Sequence, residues 1–189
     1  MLTFDRKAAV AHLRRADPVL ARVIDSVGPF TLEPRVGSFP ALARAIFFQQ
    51  LAGPAARAIM RRVLDLLGTD DERFFAPQEF LAASDEDLRA AGLSRQKLAY
   101  LRDLADKFAS GELREDEFED MDDEEVISRV ASVKGIGRWT AEMFLIFSLG
   151  RPDVLPVDDL GVRRGLAQHR EVPQGARQGG VARRAKVVR

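Results

Sequence analysis

Two glycines one residue apart, set between two apolar helical segments, constrain the fold of this chain more than any other feature. Gly135-Ile136-Gly137 precedes a segment that is largely apolar from Trp139 to Leu149. Glycine weakens a helix interior, so the pattern predicts two helices joined by a tight turn. Successive backbone N–H groups at such a helix start form an anion site, which suits a phosphate. Taken alone, the Gly-x-Gly pattern is weak evidence, because most glycine turns between helices are only turns.

The rest of the chain also has helical signals, and no segment predicts a strand of any weight. Apolar residues recur at helical spacing, for example Leu98, Leu101 and Leu104. Capping residues and glycines bound the predicted helices: Asp17, Ser84 and Ser94 at their starts, and Gly28, Gly68 and Gly92 at their ends. We therefore expect an all-α fold.

Composition excludes several classes of site. The chain has no Cys and only two His, which excludes disulfides, thiolate-bound metals and cysteine-ligated iron–sulfur clusters and makes a histidine metal site a poor hypothesis. No uncharged apolar run approaches the roughly 20 residues that span a bilayer, and the N-terminus lacks a signal core. We expect a cytoplasmic protein without a metal, a cofactor or a membrane contact.

The net charge of zero conceals an uneven distribution. Residues 167–189 hold six basic side chains and one acidic one, which leaves residues 1–166 with a net charge of −5. Any DNA binding by a body of this charge must use backbone donors and a few well-placed basic side chains, because it has no broad positive field. The tail has no aromatic residue and no apolar period, so it is predicted to be disordered.

Several polar or aromatic residues beside or after the glycines each have two interpretations. Trp139 is either a core residue or a surface on which a base stacks. Asp158, with Asp159 beside it, follows Pro156 and is either a helix cap or a positioned acid. Lys134 and Arg138 flank the turn as well, either as added charge for a phosphate or as ordinary solvated residues.

Three ordered blocks resemble the helix-hairpin-helix (HhH-GPD) base-excision DNA glycosylases, above all the DNA-3-methyladenine glycosylase II branch. Residues 38–52 are similar to the family's "I-x-x-Q-Q-L-S" helix end, and residues 91–97 to its "G-x-S-x-x-K" block. Residues 134–164 are similar to its hairpin and catalytic segment. The resemblance runs from about residue 10 to residue 166. It implies one helical domain over 1–166, made of two lobes with a cleft between them.

The resemblance also implies a mechanism and a set of roles. A damaged base is flipped out of double-stranded DNA and a side chain wedges into the gap. Asp158 then stabilises an oxocarbenium-like sugar and activates water, while Asp159 caps the next helix. The implied residues are catalytic Asp158, base-pocket Trp139 and Met143, the wedge Leu51 with Gln50, and hairpin contacts at Gly135, Ile136, Gly137 and Thr140.

Relatives that also cleave the DNA strand carry a lysine where this chain has Trp139, which predicts a monofunctional glycosylase acting on alkylated purines such as 3-methyladenine and 7-methylguanine. The family's hairpin could also hold a monovalent cation. We expect a monomer acting on nucleoid DNA.

The family's C-terminal helices are not recognisable after Leu166, so residues 167–189 are interpreted as a tail outside the fold, the product of a frameshift or truncation. The alternative function is therefore a catalytically impaired module that binds damaged DNA. A specificity for mismatches or oxidised guanine is a further alternative, which Trp139 disfavours.

Overall fold

A computed structural model describes residues 4–34 and 37–169, and every regular element in these ranges is helical. The all-α prediction is thus confirmed. The ten α-helices are α1 (Arg6–Ala16), α2 (Pro18–Val27), α3 (Ser38–Phe48), α4 (Gly53–Leu66), α5 (Pro77–Ala82), α6 (Asp85–Ala90), α7 (Arg95–Ala109), α8 (Asp123–Ala131), α9 (Arg138–Phe144) and α10 (Leu160–His169). A 3₁₀ turn at Glu115–Glu117 precedes α8, and a π-helical turn at Leu145–Leu149 extends α9.

The helix starts lie where the capping residues predicted them. The Asp17 carboxylate accepts hydrogen bonds from the backbone N–H groups of Val19 and Leu20. Ser84 and Ser94 each accept from the backbone N–H three residues on, at the starts of α6 and α7. Each such bond satisfies a donor that the helix itself leaves unpaired, which is why these residue types start helices.

The chain divides into two compact units. One comprises Met1–Pro34 with Gly150–Arg189, and the other comprises Arg35–Leu149. The first therefore takes residues from both ends of the chain, a division that no composition change in the sequence signals.

The unit of residues 35–149 has a core of large apolar side chains. Helix α7 packs against α3 and α5, and α8 packs against α9. Phe47, Phe75, Phe80 and Phe118 are almost fully buried within it. Burial of these side chains stabilises the fold by roughly 2 kcal/mol each. The aromatic rings interlock, with Phe39 meeting Phe75 edge to face at a centroid distance of 5.7 Å.

The other unit contains α1, α2 and α10. Helices α1 and α2 pack against each other, with an Arg14–Asp25 ion pair at 2.6 Å. Helix α10 runs to His169, three residues past the boundary at 166 expected from the sequence. The last residues of a helix need not be apolar, so the end of the apolar pattern at Leu166 does not coincide with the end of the helix. The predicted disorder from residue 170 onward lies outside the described residues.

None of the helices within the described ranges combines the length and the apolar character that a bilayer crossing requires.

Candidate functional site

The turn between α8 and α9 is the glycine hairpin that the sequence predicted. The backbone N–H of Ile136 donates to the carbonyl of Val133 at 3.0 Å, which closes the turn. Gly135 has a φ of 80°, a left-handed conformation that side chains other than glycine adopt at a cost. A Cβ at this position would also lie 2.1 Å from Cδ2 of Tyr100. Conformation and packing therefore both require glycine at position 135.

Gly137 differs from Gly135 in both respects. Its φ of −97° suits any residue, and a Cβ built on it would meet no atom within 4 Å. Gly137 is also the N-cap of α9, where no side chain makes a capping hydrogen bond. Among the residues that the structure describes, none requires a glycine at position 137. The missing side chain instead leaves the backbone at the start of α9 open to the approach of a ligand.

Side chains from distant segments hold the hairpin from below. Gln49 Nε2 donates to the Gly135 carbonyl at 2.9 Å. Asp103 of α7 accepts from the Lys134 backbone N–H at 2.9 Å and lies 3.0 Å from the Lys134 ammonium. Burial favours a higher pKa for Asp103, but the hydrogen bonds from Lys134 and the charges of Lys134 and Lys107 outweigh it and hold that pKa below its usual value.

The two basic residues that flank the hairpin are both engaged in ion pairs. Lys134 binds Asp103, and Arg138 makes a two-nitrogen contact with the Glu124 carboxylate while its Nε donates to buried Glu142 at 3.0 Å. Hydrogen bonding to Glu124 raises the pKa of Arg138 above its usual value. The hairpin's attraction for an anion therefore rests on its backbone N–H groups more than on these two charges.

The turn of residues 49–52, which joins α3 to α4, carries the predicted wedge. Gln50 has a φ of 54° and is the single non-glycine residue with a positive φ in the described part of the chain. Leu51 follows it and is 39% exposed, as expected for a leucine at the tip of a loop. The start of this turn is fixed by Lys97, whose buried ammonium donates to the Phe47 carbonyl at 2.5 Å. Burial lowers the pKa of Lys97.

Most of the predicted DNA-contacting residues meet in one open cleft of about 710 Å³. Gln50 and Leu51 line it from the α3–α4 turn, Gly135 from the hairpin, and Trp139 and Thr140 from α9. Trp139 is 48% exposed, which excludes the interpretation of this residue as core. The cleft thus offers an aromatic face beside an exposed leucine, both open to solvent.

Two predicted residues are placed differently. Met143, half-buried, lines a second cleft of about 740 Å³ with the exposed Phe147, and only Thr140 among the predicted residues lines both clefts. Trp139 and Met143 are one helical turn apart on α9, yet Trp139 lines the first cleft and Met143 the second. The Ile136 side chain is buried at 5% exposure, so this residue can offer DNA only its backbone.

Asp158 lies in the unit that contains α10, on a turn closed by the Asp159 N–H and the Pro156 carbonyl at 3.0 Å. The Asp158 side chain is exposed. The cap of α10 is Asp159, whose carboxylate accepts from the Val162 N–H at 2.8 Å. The two adjacent carboxylates are thus separated by role: Asp159 caps the helix, as the resemblance implied, and Asp158 is not the cap.

The sequence matches the profile described as "HhH-GPD superfamily base excision DNA repair protein" over residues 43–189. The chain belongs to this superfamily. The matched range extends past residue 166, where the resemblance drawn from individual motifs ended, to residue 189.

Individual relatives agree with this membership. The chain is 36% identical over 170 residues to DNA-3-methyladenine glycosylase 1 of Schizosaccharomyces pombe, covering 88% of this chain and 74% of the relative. The solved structure of the 3-methyladenine DNA glycosylase of that yeast in complex with abasic DNA superposes with a TM-score of 0.74 over 88% of this chain and 82% of that chain. A DNA-3-methyladenine glycosidase from Bacillus halodurans gives a TM-score of 0.77 at 39% identity over 83% and 71% of the two chains. The function of the chain is accordingly that of a DNA glycosylase in base excision repair.

Four residues of the site were not assigned a role from sequence. Gln49 and Lys97 fall within the quoted family blocks, and Tyr100 is the only tyrosine of the chain, but nothing local indicates their partners. Asp103 sits inside a helix like any solvated carboxylate. Their contacts join segments 31 to 86 residues apart, so only the folded structure reveals them.

Proposed function

We propose that this protein is a monofunctional DNA glycosylase of the DNA-3-methyladenine glycosylase II type, which hydrolyses the N-glycosidic bond of alkylated purines. The observation that carries the proposal is the exposed indole of Trp139, in the same cleft as Leu51. An exposed tryptophan costs the fold apolar contact, which suggests a ligand for its face. The names of the relatives favour the same substrate class.

The cleft residues suggest how a damaged base is selected. Leu51 enters the gap that a flipped nucleotide leaves in the stack, which offsets part of the cost of unstacking. The extruded base stacks on Trp139. Alkylation makes many purines cationic, and a cation binds the face of an indole more strongly than a neutral ring does.

The chemical step then needs little acid catalysis, because an alkylated, electron-poor base is already a good leaving group. We assign to Asp158 the stabilisation of the oxocarbenium-like sugar and the activation of water. A carboxylate that serves both roles accounts for the absence of any requirement for a lysine nucleophile at position 139. We expect the protein to act as a monomer on nucleoid DNA in the cytoplasm, without a cofactor.

The hairpin is proposed to hold a DNA phosphate through its backbone N–H groups, independently of sequence. The carbonyl oxygens of Val133 and Gly135 each accept one N–H and keep a second lone pair, of the kind that a monovalent cation binds. Such a cation at the hairpin stays a prediction.

The test is release of free base from methylated duplex DNA under single-turnover conditions. We expect wild type to release base and Asp158→Asn to lose at least about 100-fold in rate, the scale of a lost charge-stabilising group. Asp159→Ser is the matched control, because serine keeps the helix cap while removing the neighbouring charge. Equal losses in both variants would contradict the assignment of Asp158.

Strand cleavage is tested in the same reactions by borohydride trapping. A monofunctional enzyme gives no covalent adduct with DNA, so a trapped adduct would contradict the monofunctional assignment. Folded wild type that binds abasic DNA but releases no base would instead support the alternative of an impaired damage-binding module.

A further inference from the structure

We propose that Gln49 is a positioning residue, which ties the wedge Leu51 to the phosphate-binding hairpin through its hydrogen bond to Gly135. The bond from Gln49 Nε2 to the Gly135 carbonyl, at 2.9 Å, joins two segments 86 residues apart in sequence. Leu51 lies two residues after Gln49, and Gly137 lies two residues after Gly135. A single hydrogen bond therefore spans the gap between the two parts of the protein that contact DNA.

Helix α7 supplies a common support for both parts. Lys97, Tyr100 and Asp103, which we call the α7 support, recur at every third position of this helix. Lys97 binds the Phe47 carbonyl at the end of α3, Tyr100 lies against Gly135, and Asp103 binds the Lys134 backbone. The wedge turn and the hairpin are thus each fixed to the same helix, and Gln49 closes the connection between them.

The backbone of the wedge turn shows why such a connection is needed. Gln50 holds a left-handed φ of 54°, a conformation that residues other than glycine adopt uncommonly. A residue persists in this conformation only where its surroundings determine it. Gln49 provides that restraint immediately before Gln50, because its side chain is anchored on the hairpin. Without the anchor, the turn is free to relax, and Leu51 changes direction with it.

The inference rests on the proposed function, since it explains how base flipping is made efficient there. A phosphate bound at the hairpin sets the position of the DNA strand. Gln49 then sets the distance from that phosphate to the wedge, so Leu51 reaches the base stack at the correct step. Loss of Gln49 should leave DNA binding by the hairpin in place and impair wedge insertion.

The test uses Gln49→Met, which keeps the length of the side chain and removes the donor, with Leu51→Ala and the double variant. Gln78→Met is the matched control for the same substitution: Gln78 is exposed on α5 and lines neither cleft. All variants are compared on a duplex that carries 2-aminopurine next to a tetrahydrofuran abasic site. Fluorescence of 2-aminopurine reports unstacking, and anisotropy of a labelled strand reports affinity.

We expect Gln49→Met to lose most of the fluorescence rise that wild type produces, with DNA affinity within about threefold of wild type. In single-turnover base release from methylated DNA we expect a loss of about tenfold, a size typical of small misplacements of a contacting group. The double variant should be no slower than Leu51→Ala, because residues that act through each other are not additive. Gln78→Met should behave as wild type in both assays.

Multiplicative losses in the double variant, or a fluorescence rise that survives in Gln49→Met, would overturn the proposal. A lower melting temperature with unchanged fluorescence would also overturn it, because a merely structural bond behaves in this way. The fluorescence measurement does not require catalysis. If wild type unstacks the probe but releases no base, the proposed function fails while the positioning role is still decided by the fluorescence arm.

Discussion

An alanine at position 135 would have a left-handed backbone, and its Cβ would lie 2.1 Å from the Tyr100 ring. An alanine at position 137 would place its Cβ in open space. Glycine is thus required at position 135 by contacts within the protein, whereas at position 137 it is explained by the approach of a ligand from outside. A hairpin that binds a phosphate needs both, since one glycine shapes the turn and the other keeps its outer surface clear.

The two glycines should therefore separate stability from binding. Gly135→Ala is expected to lower the free energy of unfolding by about 2 to 4 kcal/mol, through strain and the ring contact. Gly137→Ala should change it by less than about 1 kcal/mol, yet weaken binding to abasic duplex DNA by about tenfold. Urea denaturation and fluorescence anisotropy measure the two effects. An unaltered affinity of Gly137→Ala would contradict phosphate binding at this position.

Trp139 should discriminate substrates by charge. Trp139→Ala is expected to lose about tenfold in the release of cationic 7-methylguanine, and less in the release of neutral hypoxanthine, because only the cation gains from the indole face. Trp139→Phe should recover part of the difference. Single-turnover rates on the two substrates provide the ratio. Parallel losses on both bases would show that the indole contributes contact area alone.

At the scale of elements, the position of the hairpin is set largely by its contacts with α7. Its backbone is attached at Lys134 by Asp103 and at Gly135 by Gln49 and Tyr100. Neither α8 nor α9 alone determines where the turn points. The orientation of a surface that has to meet DNA is thus set by helices that come earlier in the chain.

Asp103→Asn should loosen this attachment in a pH-dependent way. The pKa of Asp103 is held below its usual value in the folded protein, so its carboxylate adds stability above the unfolded-state pKa. That contribution is lost as the pH falls through the lower, folded-state pKa. We expect a loss of about 1 to 2 kcal/mol at pH 7, where the charge-assisted bonds are intact.

The difference between wild type and Asp103→Asn should then narrow below about pH 4, as Asp103 of the wild type becomes protonated. Urea denaturation at pH 7, 5, 4 and 3 measures this. A difference that stays constant with pH would show that the carboxylate charge does not stabilise the hairpin.

At the scale of the whole molecule, the net charge of residues 1–166 provides no general attraction for DNA. Residues 1–166 carry a net charge of −5, and both cations beside the hairpin are in ion pairs. Under the proposed function, recognition depends on backbone donors, the wedge and the stacked base, with little help from long-range attraction.

Binding of undamaged duplex DNA should accordingly depend only modestly on salt. We expect a slope of log K against log salt of about −2 to −4, which corresponds to a few phosphate contacts. The affinity for abasic DNA should have a similar slope at a higher absolute level. Anisotropy titrations between about 50 and 300 mM KCl measure this slope. A steep slope near −8 would contradict a binding mode built on so few charges.

The sequence predicted the parts of this protein that local chemistry determines. Asp17, Ser84 and Ser94 start helices because their side chains satisfy backbone donors two or three residues away, which a linear reading detects. The contacts of Gln49 and Asp103 depend on segments 86 and 31 residues distant, and nothing local distinguishes them from solvated side chains. The assignment of Trp139 and Met143 to different clefts likewise depends on the distant segments that line each cleft.

The exposure of Trp139 has a consequence for how this fold can diversify. The neighbouring residues Ala141 and Glu142 are buried and Arg138 is held by Glu124, so contacts of residues other than Trp139 help to hold α9 in place. A substitution at position 139 can exchange an aromatic surface for an amine on the same helix, and so change what the cleft offers to a bound base. Natural selection can in this way change the reaction at one position while the surrounding scaffold stays the same.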